Sequence, residues 1–452
     1  MTETRGELAR LAWPIAVAML GDTAMGLVDA KLVAGLGSSA IAGVGVGSML
    51  GYLAQAVTFG FLRGVKVRTS HAVGEGRPHD GARYAEAGLL VALALGVLTF
   101  VLSRDVSPAL IALGIDDAAV GPASDFLAAR TFGTPAAFAL QAFIQHRQGL
   151  GDARSPMVAG LLANVVNAPL AWALIGGHLG LPALGVAGAG YGTAIAEVVA
   201  AALMGTLFLV TRARAPRPDV SLRTALGEVS SLGGPTAAQF GLEMLAFTTF
   251  TTVLGGIRAS EVAAHQIAMA IFRTSFLPGL AVAEAGSVLV GKALGARKLD
   301  EADRVTKSAL LLAVGFMSLC GVAFALFGQP IARAFTTDAE VAAIAGRLLL
   351  VAAVFQALDA VTMVLRSALR GARDVRVVAV VGVLCSWGCV PTSAYVLGKV
   401  MGLGAVGGWI GFVLETSIAA TILWRRWSRG SWRDTYSTRP SRSDPSALAT
   451  PA

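Results

Sequence analysis

Charge is scarce in this sequence. Aspartate, glutamate, lysine and arginine make up 14% of its 452 residues, against about 25% in soluble domains. With 55% hydrophobic residues and a mean hydropathy of +0.68, that shortage excludes an ordinary soluble enzyme. Cysteine is nearly absent. Cys320, Cys385 and Cys389 lie in apolar stretches without ligand spacing, which fits small buried side chains better than a disulfide framework or a metal centre. His265 has no partner at HExxH-like spacing and reads as a packing or capping residue. The phosphate-loop pattern GxxxxGKS/T is missing; the glycines of "GLGDAR" and "RGARD" serve tight turns instead. No continuous basic patch exists, so the net charge of +8 does not point to nucleic acid.

What fills the chain is long apolar stretches, each able to cross about 30 Å of hydrocarbon as a helix. Twelve spans are expected, at 8–33, 46–69, 86–104, 122–145, 155–178, 185–210, 228–254, 261–289, 307–328, 341–369, 375–398 and 405–426. The fold class is therefore an all-α polytopic membrane protein embedded in a lipid bilayer. Small residues dominate the spans, with 54 glycines, and small residues let membrane helices approach closely. Lysine and arginine concentrate in alternate loops, for example Arg212, Arg214, Arg217 and Arg223, or Arg297, Lys298, Arg304 and Lys307. That asymmetry places those loops and both termini in the cytoplasm, as in a multi-pass protein of the inner (plasma) membrane. The first apolar run is too long for a signal-peptide core. Residues 427–452 read as a basic cytoplasmic tail, disordered beyond about 435.

The chain is written twice. A polar, proline-rich break at 211–227 separates a six-span lobe (1–210) from a second (228–426). An offset of 221 places Pro14 on Pro235 and Gly74 on Gly295, and "QGLGDAR" (148–154) meets "RGARDVR" (370–376) at 222. The two lobes share one orientation and are expected to flank a central cleft that opens alternately to either side.

Several carboxylates stand inside spans, where a lone charge costs on the order of 3 kcal/mol. Asp22 and Asp29 lie in "GDTAMGLVDAK", Glu243 in "FGLEMLAFTTF" and Asp359 in "FQALDAVTMVLRSALRG". Each must meet protein, water, an ion or a proton. Asp22 and Glu243 are repeat mates; the mate of Asp29 is Phe250. Lys31 is a candidate partner for Asp29, and Arg366 for Asp359. Asn164, Asn167, Glu197, Glu284 and Glu415 are secondary candidates to line the cleft. Glu243 and Asp359 share a lobe, which would permit a common sodium site.

The segments "LAWPIAVAMLGDTAMGLVDAKLVAGLGSSAIAGVG", "VGEGR", "FIQHRQGLGDARSPMVAGLLANVVNAPLAWALI", "AAHQIAMAI" and "ALDAVTMVLRSALRGARD" resemble, in order and across both lobes, the multidrug and toxic compound extrusion (MATE) family. The resemblance covers roughly residues 8–426. It implies twelve helices in two pseudo-symmetric six-helix lobes, and an antiporter that exports organic, often cationic compounds in exchange for sodium ions or protons. It implies neither a cofactor nor an enzyme, and such a chain is expected to work as a monomer. It maps the family's coupling carboxylates onto Asp29, Glu243 and Asp359. "FGFLRGVKVRTS" leans toward the DNA-damage-inducible branch, whereas Glu243 and "AAHQI" lean toward the norfloxacin-resistance branch. The alternatives are a lipid-linked precursor flippase of the wider superfamily, which would use Arg130, Arg273, Lys292 or Arg366, and a membrane-embedded enzyme, for which no His/Asp or Ser/His pair at depth is present.

Overall fold

The computed structural model describes residues 2–112 and 114–433, and these are helical throughout their regular structure. The first half comprises α1 (Thr2–Ala34), α2 (Ser38–Gly74), α3 (Asp80–Leu102), the short α4 (Ser107–Ala112), α5 (Asp117–Thr131), α6 (Thr134–Gly149), α7 (Arg154–Gly176) and α8 (Val186–Arg214). The second comprises α9 (Leu222–Gly255), α10 (Ala259–Gly295), α11 (Leu299–Phe335), α12 (Ala339–Gly371), α13 (Val375–Ser393) and α14 (Gly404–Ser428). Among the described residues ten helical segments are long and apolar enough to span a membrane by themselves. The α5–α6 pair and the 34-residue α9 complete twelve.

The helices overrun the apolar stretches that signal them. α2 covers 38–74 where the apolar run gives 46–69, because backbone hydrogen bonding continues past the point where side chains turn polar. The fourth span, expected as one helix over 122–145, is broken. The Phe132 N–H reaches the Ala129 carbonyl at 3.3 Å and the Gly133 N–H reaches that of Arg130 at 3.2 Å, a tightened turn that ends α5. A Cβ on Gly133 would sit 2.6 Å from Ala194 Cα, so α8 crosses the break at backbone contact. α13 continues through a π-helical segment at 394–400.

One boundary differs from expectation. α9 starts at Leu222, with the Ser221 hydroxyl accepting the Thr224 N–H at 3.1 Å, so the break between halves is shorter than 211–227. The segment after 427 is folded as far as it is described. Trp427 and Trp432 stack at 4.5 Å between centroids and are buried, because two indoles carry enough apolar area to hold the chain down. Residues 434–452, which include all of the segment expected to be disordered, lie outside the described residues.

The halves join at one end. Leu8, Leu11, Ala12 and Ile15 of α1 share a core with Ala281, Val288 and Leu294 of α10. α2 packs on α9 through glycines: a Cβ on Gly60 would lie 2.8 Å from the Thr236 carbonyl, and one on Gly64 would meet that of Val229. The ends of α2 and α10 cross reciprocally. A Cβ on Gly74 would overlap the Lys292 carbonyl, and one on Gly295 the His71 carbonyl; both pairs are related by the same 221-residue shift. At the opposite end each half packs on itself. Val33 and Ala40 pack with Ala171 and Ala189, and Phe250 with Phe412 and His265. The two lobes therefore diverge from a closed seam, leaving a cleft between them.

Candidate functional site

The first lobe gathers polar groups where α1, α7, α8 and α5 meet. Asp29 Oδ1 accepts from Asn167 Nδ2 at 2.8 Å, and Oδ2 accepts from the Thr193 hydroxyl at 3.2 Å. Asn167 is fully buried. Its Oδ1 is buried without a hydrogen-bond partner; so is that of Asn164, whose amide lies against Gly21, about two turns before Asp29 on α1. Arg130 Nη2 stands 3.3 Å from Glu197 Oε1 and within electrostatic reach of Asp29. Asp22, earlier on α1, has Glu197 as its charged neighbour. Lys31 does not pair with Asp29: two residues on, it points away around the helix, and it is exposed. Thr193 and Arg130 were not legible as parts of this site, because only the tertiary fold brings α5 and α8 to α1.

The second lobe is built differently, around a guanidinium. Arg366 Nη2 lies 2.7 Å from Glu415 Oε1 and Nη1 3.3 Å from Glu243 Oε1. Glu243 also accepts from Gln239 Nε2 at 2.9 Å, one helical turn back. Gln239 Oε1 in turn accepts from Arg370 at 3.0 Å. Asp359 feels the charges of Glu415 and Arg366, yet its Oδ2 is buried without a hydrogen-bond partner. The partners of Arg366 are thus Glu243 and Glu415, rather than the Asp359 suggested by helical spacing. Glu243, isolated in sequence, meets a cation contributed by another helix.

Glu284 does not line the cleft, contrary to expectation. It is 2% exposed, inside the closed seam, paired with both Arg63 and Lys66 of α2. Spacing along α10 places it on an inward face but cannot say which helix that face meets. His265 is buried and accepts the Trp409 indole N–H at 3.1 Å, a packing arrangement.

Outside the spans, the turn before α7 is closed by Asp152. Its carboxylate accepts the Ser155 N–H at 3.0 Å and the Arg154 N–H at 3.1 Å, and meets Arg147 Nη2 at 2.6 Å. Burial pushes this carboxyl up, but the Ser155 hydroxyl and N–H together with Arg147 outweigh burial and hold it below its ordinary range. His79, Asp80 and Asp219 bring ligand atoms within 4.8 Å of one another. Asp80 is already engaged, accepting the Asp219 N–H at 2.8 Å and facing Arg77 at 2.5 Å, so the trio clamps the inter-lobe connection to α3.

The MatE family model matches twice, over residues 14–173 and 235–396. The chain is 31% identical over 434 residues to "Probable multidrug resistance protein NorM" of Burkholderia pseudomallei, spanning 93% of this chain and 92% of that protein. It is 29% identical over 440 residues to "Multidrug resistance protein MdtK" of Yersinia enterocolitica, with 94% of each covered. Among solved structures, a eukaryotic MATE transporter, AtDTX14, superposes with a TM-score of 0.86 at 17% identity, covering 96% of this chain and 98% of that one. A MOP superfamily transporter from Pyrococcus furiosus, described as having a binding pocket of reverse polarity, does so at 0.86 and 22%, covering 95% and 97%. With its model repeated once in each half, on twelve helices in two lobes, the chain belongs to the multidrug and toxic compound extrusion family of secondary active transporters.

Proposed function

We propose that this transporter exports organic, often cationic or amphipathic compounds across the inner membrane in exchange for a proton or a sodium ion, acting as a monomer with both termini in the cytoplasm. The lobes are residues 1–210 and 228–426, and the cleft between them carries the cargo. Asp29 carries the reading. It is a carboxylate inside a spanning helix whose direct contacts are neutral, the Asn167 amide and the Thr193 hydroxyl; Arg130 is nearby but committed to Glu197. A membrane carboxylate without a countercharge in contact is stabilised when a cation arrives. The unpartnered Oδ1 of Asn167 is an acceptor, for a proton-bearing group or a sodium ion, on the side chain that holds Asp29. Glu243 and Asp359 form the second coupling site, where an arriving cation competes with Arg366. Asp22, Glu197 and Glu415 set the field around these groups.

Efflux of a cationic dye from proteoliposomes, driven separately by a proton gradient and a sodium gradient, tests the reading. One gradient is expected to drive export and the other not. Equal export without either gradient would overturn exchange. The flippase alternative needs free cations facing the cleft. Of the four cations named for it, three are engaged: Arg130 and Arg366 each bind a carboxylate and Lys292 reaches Glu7, which weighs against it.

A further inference from the structure

The seam between α2 and α10 is where the lobes must part if the cleft is to open at its closed end. Apolar helix ends alone would seal it. This chain instead buries a carboxylate and two cations there: Glu284 with Arg63 and Lys66, all 5% exposed or less. The Arg63 guanidinium lies beside the stacked rings of Phe59 and Phe240, 5.1 Å from each centroid. The other cationic neighbour of Phe240 is Arg370, 5.2 Å from its centroid. Arg370 donates to Gln239, Gln239 to Glu243, and Glu243 faces Arg366, which binds Glu415. Arg370 also senses the charges of Arg63, Arg366, Glu243 and Glu284.

A chain of charged and polar contacts therefore runs from the seam to the second-lobe site. Its cations are Arg63, Lys66, Arg366 and Arg370. Its carboxylates are Glu243, Glu284, Glu415 and Asp359. Four face four. The balance depends on Asp359, the member without a hydrogen-bond partner at Oδ2. When Asp359 takes up a cation, the network carries one uncompensated positive charge in a medium of low dielectric, where repulsion is weakly screened. The repulsion falls first on Arg366, the cation that faces Asp359, and reaches the seam through Arg370, which feels both Arg366 and Arg63. It is relieved when α2 carries Arg63 and Lys66 away from α10 and water enters.

We propose that Arg63, Lys66 and Glu284 are the latch of the closed end, and that Arg370 links this latch to the ion-coupling carboxylates of the second lobe. These are positioning residues: they touch neither cargo nor coupling ion while the seam is shut. The linkage half of the proposal rests on the coupling role of Asp359; the latch half does not.

Hydrogen–deuterium exchange on the purified full chain in lipid nanodiscs reads the seam directly, through residues 62–74 and 284–294. Glu284→Gln is expected to raise uptake in both segments about tenfold, and to lower turnover of dye export while leaving dye affinity within about twofold. Glu284→Asp, which keeps the charge, is expected to recover at least half of each change. Asp359→Asn, which mimics a neutralised carboxylate, is expected to raise uptake in the same segments, and Arg370→Gln in that background to abolish the rise. Unchanged uptake in Glu284→Gln overturns the latch. If Glu284→Gln fails to fold, Lys66→Gln strips one cation and leaves the Arg63 pair. It is expected to raise uptake in the same two segments, and flat uptake there overturns the latch equally. Asp359→Asn that stops export yet leaves uptake flat overturns the linkage. Asp359→Asn that exports normally overturns instead the coupling role on which the linkage rests.

Discussion

At the scale of single residues, the two lobes accommodate a membrane carboxylate differently. Asp29 is held by neutral donors, Glu243 by a guanidinium. Replacing Asp29 with Asn keeps the hydrogen-bonding shape and removes the charge. Gradient-driven dye export is expected to fall about tenfold or more, about 1.4 kcal/mol of lost driving interaction, with the protein still present in the membrane at parental level. Undiminished export in vesicles would remove Asp29 from the coupling scheme. Asp152 makes a separate pH prediction. Its folded carboxyl is held below its ordinary range, so the stability it contributes is present above the usual carboxylate pKa and is lost as pH falls below it. Asp152→Asn is expected to lower the melting temperature at pH 7 by the equivalent of about 1 kcal/mol, the scale of a helix-capping interaction, and to make no difference in strong acid. The carboxylates themselves were legible in the sequence, because charge inside an apolar run demands an explanation. Their partners Thr193, Arg130 and Gln239 were not, since nothing in the chain order brings those helices together.

Among the elements, helix existence was the most legible property and helix contact the least. Apolar length announced each span except where Gly133 and the turn at Phe132 break the fourth. That break is a tertiary feature, because α8 presses its backbone against a residue with no side chain. Trp427 and Trp432 are a tertiary feature of another kind: two buried indoles pin the start of the basic segment after α14. The reciprocal crossing of α2 and α10 yields a prediction of its own. Gly74→Ala or Gly295→Ala inserts a methyl into a backbone carbonyl of the other lobe. Each is expected to destabilise the protein by about 1–3 kcal/mol, read as a lower melting temperature in detergent. Gly76→Ala is a different case, strained by its φ of +76° but free of any inter-lobe clash, and is expected to leave the seam segments protected in hydrogen exchange.

For the molecule as a whole, the duplication was visible as a constant spacing between landmarks, and the family model meets it twice. What the spacing could not show is the closed seam, whose chemistry is local to Arg63, Lys66 and Glu284. Arg63 and Glu284 are separated by 221 residues, the same shift that relates the halves. Each is the other's counterpart in the repeat, and they meet at the pseudo-twofold axis. In a true homodimer a residue on such an axis faces its own copy. An arginine or a glutamate there would confront a like charge. The ionic pair is open only to an unlike couple, so it favours the one-to-one joining of these halves over self-pairing of either. Expressed as separate polypeptides, the two halves are expected to co-purify with each other and not with tagged copies of themselves. Arg63→Glu in the first half is expected to abolish that recovery, and Glu284→Arg in the second half to restore it. What began as one unit meeting itself has become, through one inverted charge, a matched pair with distinct left and right members.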